Sequence, residues 1–291
     1  MSEKNKISDF ITFPKTFDNY KWYKPILVFI VGLILSMIFM GIVVLIFWVS
    51  FGSGFVNSIV SGGYEVLNTE WGQIFTDMGV IVLLPALYVA SKIVKDRPFS
   101  SYMSSRGGWN FKLYFKSLVI PFIVIAAFMV LSVISNGVEG VSHFSILFLI
   151  ITLIMVPIQC ITEEFVFRGF LMQTFGSWFK IPVLAIIIQA IIFAAVHGYN
   201  SLGVFEVFVS GLIMGVLAWK TNGIEVSSAL HTANNLTIAL FVMFGLQSTT
   251  STINPTDFII GIVLDIILFV IMYFVGMKTQ WFGEIKEDVE N

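Results

Sequence analysis

Charged residues are scarce in this chain, and neither sign is in large excess. Of its 291 residues only 12% are charged, the formal net charge is -2, and 57% are hydrophobic, with a mean hydropathy of +0.92. The sequence contains no cluster of basic residues interleaved with aromatic ones, which excludes the nucleic-acid-binding classes. That much apolar surface does not fit inside one soluble core, so a lipid bilayer must be the solvent of most of the chain.

Cysteine and flexible linkers are nearly absent as well. The single cysteine, Cys160, lies in an apolar run, cannot form an internal disulfide and is typical of a small packing residue. There is no long polar or Gly/Ser/Pro-rich linker and no internal repeat. We therefore expect one membrane-embedded domain over residues 26–277, between an amino-terminal tail at 1–25 and an acidic carboxyl-terminal tail at 278–291.

Apolar windows long enough to cross a bilayer recur along the whole chain. A transmembrane helix needs about 20 apolar residues, and eight such windows lie near 26–49, 73–94, 114–134, 145–172, 182–198, 202–219, 225–246 and 257–277. The sequence thus predicts an all-α, polytopic membrane protein with about eight transmembrane helices in one bundle.

The basic residues predict the orientation of these helices. Every Lys and Arg except Arg168 lies in one of the two tails, in an even-numbered connection between windows or, as Lys92 and Lys116 do, within two residues of that connection, and the odd-numbered connections contain none. Because basic residues are retained on the cytoplasmic side, both termini are predicted to be cytoplasmic. The short connections are typical of a multi-pass protein of a bacterial cell membrane.

The densest group of charges inside an apolar window is formed by Glu163, Glu164 and Arg168. A charge in the hydrocarbon costs roughly 2.5 to 3.5 kcal/mol, so such residues usually face the bundle interior and mark function. Glu164 and Arg168 have the i, i+4 spacing of a helical ion pair. Glu163 points about 100° away and stays free for chemistry. The structural alternative is a buried network in which both acids pair with the arginine.

Two further polar groups lie on neighbouring helices. Glu163 and His197 are equally far from Lys180 on either side of a predicted hairpin, so they are expected at one level, where they can share the activation of a water molecule. His231 and Asn235 share one helix face, and as hydrogen-bond donors without negative charge they suit stabilisation of an oxyanion. Their structural alternative is the linking of membrane helices by polar side chains.

The level of His231 is a difficulty for this arrangement. An ordinary helix that starts near Glu225 places His231 only about 10 Å from its turn, whereas Glu163 lies about 25 Å from Lys180. Either the hairpin around Lys180 projects into the cytosol or the connection near 222–223 dips inward. The sequence does not choose between these two possibilities.

The polar residues occur in three motifs, and in them the chain resembles the CAAX prenyl endopeptidase and bacteriocin-processing family, also called the Abi family of intramembrane proteases. The family pattern is Glu-Glu-x-x-x-Arg, then Phe-x-x-x-His, then His-x-x-x-Asn or Asp. All three motifs are unbroken here, as Glu163-Glu164 with Arg168, Phe193 with His197, and His231 with Asn235. The resemblance covers roughly residues 145–245.

The resemblance implies a role for each motif residue. Glu163 and His197 would activate the hydrolytic water, His231 and Asn235 would stabilise the oxyanion, and Glu164 and Arg168 would support the site. It also implies a metal-free, glutamate-type mechanism without a cofactor. The residues leave zinc open as the disfavoured alternative, through Glu163, His197 and His231, but the His-Glu-x-x-His helix signature is absent.

The function expected from the motifs is that of an intramembrane endopeptidase acting on a hydrophobic or lipid-bearing peptide, in bacteriocin or signal-peptide maturation or in self-immunity. A second hypothesis is a non-catalytic immunity protein that binds a membrane partner. A third is an ion-coupled transporter, suggested by Asp77, Glu206 and Asp265 within apolar windows. No matching halves or interrupted helix pairs support transport.

Overall fold

Helices form nearly all of the regular structure in the computed structural model, which describes residues 9–278. In chain order they are α1 (Lys24–Phe51), α2 (Ser53–Ser61), α3 (Glu70–Ile81), α4 (Leu83–Val94), α5 (Phe111–Asn136), α6 (Ile146–Glu164), α7 (Gln173–Phe179), α8 (Pro182–Ala195), α9 (Ser201–Lys220), α10 (Glu225–Met243), α11 (Pro255–Val270) and α12 (Gly276–Lys278). Short 3₁₀ turns lie at Phe13–Thr16, Gly63–Asn68 and Phe99–Tyr102, and π-helical segments at Phe165–Met172 and Ile271–Val275. Within the described residues there is no β-strand, and the one isolated bridge joins Ser104 to Gly223. The predicted carboxyl-terminal tail lies outside the described residues except for Lys278, as do the first eight residues of the amino-terminal tail.

The prediction of an all-α membrane bundle with about eight helices is confirmed. Among the described residues, six helical segments are long and apolar enough to span a membrane: Lys24–Phe51, Glu70–Val94, Phe111–Asn136, Ile146–Phe179, Ser201–Lys220 and Pro255–Val275. The other two predicted windows correspond to the short apolar helix α8 and to α10, whose His231, Asn234 and Asn235 lower its hydropathy. The orientation of the termini stays a prediction.

Helix α8 is shorter than its predicted window of 182–198. It has 14 residues, so it is about 21 Å long and does not cross a hydrocarbon layer of about 30 Å. The chain turns after Ala195, and the side chain of Asn200 accepts a hydrogen bond from the amide of Gly203 to begin α9. His197 therefore lies inside the bundle rather than at the far end of a full span.

The turn between α9 and α10 resolves the difference in level between His231 and Glu163. The amide of Ile224 in this turn donates to the carbonyl of Met103. The preceding residue, Tyr102, has its carbonyl oxygen against Gly169. The turn thus lies at the level of Gly169, and the α7–α8 hairpin extends about 15 Å beyond it to Lys180.

A projecting hairpin is the first of the two possibilities left open by the sequence. The continuous helical segment Ile146–Phe179 has 34 residues, or about 50 Å, which exceeds the thickness of the hydrocarbon. Its outer end is covered by the amino-terminal segment, because Ile11 packs directly on Gly176. The extra length places Glu163 near the middle of the segment, at the level of His231.

A buried polar cluster fixes the start of this projecting part. The guanidinium of Arg97 donates to the side chain of Gln173 and, at 3.2 Å, to the carbonyl of Gly169, and it stacks 3.8 Å above the ring of Tyr102. Asp96 pairs with Arg97 and accepts a hydrogen bond from Tyr102. Burial raises the pKa of Asp96, against the opposing charge of Arg97. The cluster holds the connection after α4 against the π-helical segment.

The close approach at Gly169 predicts a loss of stability on substitution. In Gly169→Ala the new Cβ would lie 2.5 Å from the backbone carbonyl oxygen of Tyr102, which has little freedom to move. We expect the free energy of unfolding to fall by about 1 to 3 kcal/mol, measured by thermal unfolding in detergent. The control is Gly41→Ala in α1, where nothing lies within 4 Å and helix propensity alone adds up to about 1 kcal/mol. Equal behaviour of the two variants would contradict this packing.

Candidate active site

The first motif forms a fully buried ion pair. Arg168 Nη1 donates to Glu164 Oε1 at 2.7 Å, and both side chains are 0% exposed. Glu163, on another face of α6, retains 12% side-chain exposure. The sequence expected an α-helix through this motif, but the segment from Phe165 to Met172 is π-helical. Such wide turns are frequent at functional sites.

Arg168 is enclosed by two more helices. Its Nη2 donates to the carbonyl of Gly211 in α9 at 3.3 Å, and its guanidinium carbon lies 4.4 Å from the ring centre of Phe193 in α8. Gln189 donates to the same carbonyl of Gly211 at 2.9 Å. One cation thus connects the acid on α6 to α8 and α9, which explains why the pair tolerates complete burial.

The third motif lies directly against both acids. His231 Nδ1 is 3.1 Å from Glu164 Oε1, and its Nε2 is 3.4 Å from Glu163 Oε2 and 3.3 Å from Asn235 Nδ2. Because the carboxylate of Glu164 accepts, Nδ1 of His231 carries a hydrogen. The imidazole is therefore fixed in orientation by Glu164, with its Nε2 directed towards Glu163 and the amide of Asn235.

Gln159 belongs to the site although the sequence interpretation did not include it. Its Nε2 donates to Glu163 Oε1 at 2.8 Å, and its Oε1 accepts from Asn235 Nδ2 at 3.3 Å. It also accepts a weak bond from Cys160 Sγ at 3.2 Å. Gln159 precedes Glu163 by one helical turn in an otherwise apolar run. That spacing was the signal available in the sequence.

The second motif approaches the acids without touching them. His197 Nδ1 lies 2.7 Å from the carbonyl oxygen of Phe193, so Nδ1 carries the hydrogen and Nε2 is left as an acceptor. The ring of Phe193 contacts both imidazoles, with centroids 4.7 Å from His197 and 5.9 Å from His231. Within residues 9–278 no hydrogen bond or ion pair joins His197 to Glu163. The structure therefore brings Glu163, His231 and Asn235 into contact and leaves His197 across a gap.

The acids that suggested a transporter lie in two places. Ser210 in α9 donates to Asp265 in α11 at 2.5 Å, and Glu206 lies against Gly261 of the same interface. Among the described residues, none of the side chains of Ser210, Asp265 and Glu206 forms a hydrogen bond or ion pair with a motif residue. Asp77 is on α3, which packs on α6.

Metal ligation was the disfavoured alternative for Glu163, His197 and His231. Within the part of the chain that the structure describes, no three His, Cys, Asp or Glu side chains are grouped to hold a metal ion. Metal independence stays a prediction that a chelation experiment must test.

Comparison with known proteins confirms the family resemblance given by the motifs. Residues 142–237, which contain all three motifs, match the model of the family described as type II CAAX prenyl endopeptidase Rce1-like. The fold is that of a multi-pass membrane protein, and the segment that contains the three motifs is similar to a protease family. The chain is also similar to the "Uncharacterized protein YyaK" of Bacillus subtilis (strain 168), at 28% identity over 172 residues. The aligned region covers 55% of this chain and 57% of that relative, so the chain spans little more than half of the relative's length. No solved structure matches.

The burial of the Glu164–Arg168 pair predicts a large effect when one partner is removed. Arg168→Met removes the cation and leaves the buried carboxylate of Glu164 with only its hydrogen bond from His231, so we expect the free energy of unfolding to fall by about 3 to 5 kcal/mol. The double variant Glu164→Gln with Arg168→Met removes both charges and should recover much of this loss. Unfolding is followed in detergent by near-ultraviolet circular dichroism. A single variant as stable as the wild type would show that the pair is not buried as described.

Proposed function

We propose that this protein is an intramembrane endopeptidase that hydrolyses an amide bond with a water molecule activated by Glu163 and His197. The observation that carries the proposal is the partly exposed carboxylate of Glu163, which has His231 of the third motif beside it and His197 of the second motif across a gap. Glu163 Oε2 lies 3.4 Å from His231 Nε2, is buried, and receives no hydrogen bond from any described residue. A carboxylate oxygen without a donor is a suitable acceptor for the proton of an attacking water.

The gap between Glu163 and His197 is the place for that water. Phe193 fixes the imidazole of His197 so that its bare Nε2 is available as an acceptor. Gln159 occupies the other oxygen of Glu163, which leaves only Oε2 for the proton. A water hydrogen-bonded to both acceptors keeps its lone pair directed at the substrate, so its oxygen bonds to the carbonyl carbon as one proton passes to Glu163.

Asn235 and His231 supply the donors for the resulting oxyanion. The amide nitrogen of Asn235 makes two long contacts of 3.3 Å, to Gln159 and to His231, and can exchange them for a stronger bond to an oxyanion. His231 donates from Nε2 once it is protonated, by the proton that Glu163 has taken from water 3.4 Å away. The buried carboxylate of Glu164 at Nδ1 stabilises that imidazolium.

Collapse of the tetrahedral intermediate completes the reaction. The bond between carbon and nitrogen breaks, and the proton held by His231 passes to the nitrogen of the departing amine. His231 has then lost the added proton and Glu163 is a carboxylate, and the new carboxyl group and the new amine leave the site. The residues act as acid and base in turn, and no covalent enzyme intermediate is needed.

The substrate class that fits this position is a hydrophobic or lipid-bearing peptide. The site lies at mid-length of a 34-residue apolar segment, and the side chains beside His197 and Asn235 that reach the surface include Val196 and Asn234. A peptide with an apolar segment can enter from the bilayer and place its amide at this level. The family's name points to prenylated substrates. Bacteriocin or signal-peptide maturation and self-immunity are the proposed settings.

The second candidate is a non-catalytic immunity protein that binds a membrane partner. No observation favours it over hydrolysis, because pure binding does not require an undonated carboxylate oxygen at Glu163 beside a histidine in a fixed orientation. Protection of cells that survives Glu163→Gln would support it.

Removal of the base should abolish cleavage. We expect Glu163→Gln and His197→Ala to lower kcat/KM by roughly 10²- to 10⁴-fold on a library of hydrophobic and prenylated peptides, measured by mass spectrometry with protein purified in detergent. The matched controls are Glu206→Gln, a glutamate in α9, and His143→Ala, the histidine outside the three motifs. Each control should stay within about threefold of the wild type.

The same assay tests metal dependence. Cleavage that persists in a strong chelator supports the metal-free mechanism. Loss on chelation, restored by added zinc, would assign the histidines to a metal instead. Full activity of Glu163→Gln would contradict the site itself.

The oxyanion role predicts a different signature for Asn235. We expect Asn235→Ala to lower kcat by about 10²- to 10³-fold with little change in KM, because the donor acts on charge that exists only in the transition state. Asn136→Ala, an exposed asparagine at the end of α5, is the control and should change kcat by less than about threefold. A rise in KM with unchanged kcat for Asn235→Ala would assign that residue to substrate binding.

A further inference from the structure

A cavity of about 410 Å³ lies at the end of the bundle where α1 begins and α4 ends, and none of the motif residues lines it. Its volume is within the usual range of small-molecule sites. Its walls are the amino-terminal segment before α1, the last turn of α4 and the connection that follows α4. The polar residues that line it are Asp18, Asn19, Ser91, Lys92, Lys95 and Arg97.

The amino-terminal wall of the cavity is held in place by packing. Before the lining residues 17–19, the side chains of Phe10 and Ile11 are 0% exposed. After them, the carbonyl of Trp22 accepts a hydrogen bond from the indole of Trp178 in α7 at 2.8 Å. The segment is thus attached to the rest of the protein on both sides of the cavity, so the cavity is a preformed part of the fold.

The cavity has an excess of positive charge. Lys92 and Lys95 line it, and Nζ of Lys24 donates to the carbonyl of Lys95 at 3.0 Å. The opposing charge in the lining is that of Asp18, whereas Arg97 is already compensated by the acid next to it. Among residues 9–278, none of the three lysines forms an ion pair. Their ammonium groups are therefore available to an anion.

The cavity lies at the level of the lipid headgroups. The candidate span Lys24–Phe51 begins beside it, the candidate span Glu70–Val94 ends beside it, and the two helices α1 and α4 pack together. Trp22, just outside the first span, is exposed, as is typical of aromatic residues at a membrane interface. Within one helical turn towards the middle of the bilayer, Leu27 and Ile93 are exposed and apolar. The cavity thus joins a cationic wall to a surface that lipid chains cover.

We propose that this cavity binds the phosphate of an anionic phospholipid, with Lys92 and Lys95 in contact with the headgroup and Lys24 at the rim. Basic pockets between membrane helices attract anionic headgroups, and an ammonium group forms a charge-assisted hydrogen bond with phosphate. A zwitterionic headgroup brings its own cation and is disfavoured by the excess of lysine. Inorganic phosphate shares the charge but has no acyl chain to cover Leu27 and Ile93. The bound lipid connects α1, α4 and the amino-terminal segment, and this role is independent of the cleavage chemistry.

The test measures lipid binding by the full chain. Protein purified in a neutral detergent and depleted of lipid is titrated with phosphatidylglycerol, and the bound lipid is counted by native mass spectrometry. We expect one phosphatidylglycerol to bind at least tenfold more tightly than phosphatidylcholine. Lys92→Gln combined with Lys95→Gln removes two cations from the cavity and should raise the Kd for phosphatidylglycerol by about 10- to 30-fold.

Two further double variants separate the cavity from the general charge of the protein surface. Lys92→Arg with Lys95→Arg keeps both charges and should bind phosphatidylglycerol within about threefold of the wild type. Lys112→Gln with Lys220→Gln removes the same charge from the same end of the bundle, outside the cavity. This control should also stay within about threefold.

Three results would overturn the inference. The first is an equal loss of affinity in the two double glutamine variants, and the second is equal binding of phosphatidylcholine and phosphatidylglycerol by the wild type. The third is displacement of phosphatidylglycerol by an equal concentration of inorganic phosphate, which would make the cavity a site for a free anion. If the Lys92 and Lys95 glutamine variant does not fold, the lipid preference of the wild type and the competition by phosphate decide.

Discussion

The ion pair between Glu164 and Arg168 is the interaction on which the rest of the site depends. It is fully buried, so its desolvation cost is offset only because each partner makes further bonds: Glu164 to His231, and Arg168 to the carbonyl of Gly211 and the face of Phe193. Through these bonds one charge pair holds α6, α8, α9 and α10 in register. It also sets the orientation of the histidine that faces the catalytic carboxylate.

The depth of the site follows from contacts outside the apolar spans. The cluster around Arg97 attaches the connection after α4 to the π-helical segment, and the bond from Ile224 to Met103 attaches the α9–α10 turn to the same connection. The projecting α7–α8 hairpin therefore extends past that turn by a fixed length. This offset allows motifs that are misaligned in a simple hairpin to meet at one level, with Glu163 and His231 3.4 Å apart.

The sequence predicted the helices and the pairing of Glu164 with Arg168 because both depend on local periodicity and on the cost of charge in a bilayer. It did not predict the π-helical segment, the short α8 or the part played by Gln159. These depend on tertiary contacts and on where the chain turns. Arg97 donates a hydrogen bond to the carbonyl of Gly169, the chain turns after Ala195, and the side-chain amide of Gln159 in α6 accepts from Asn235 in α10. The level of His231 depends on the contacts of the α9–α10 turn, and these contacts cannot be predicted from the spacing of residues in the sequence.

The most direct test of this account is the protonation state of His231 in the resting protein. The chain has three histidines, so nitrogen NMR of histidine-labelled protein gives a spectrum that His143→Gln and His197→Gln variants assign. The account predicts a hydrogen on Nδ1 of His231, directed at the carboxylate of Glu164. A hydrogen on Nε2 alone would mean that Glu164 does not accept from this imidazole, and it would contradict the arrangement from which the catalytic roles are argued.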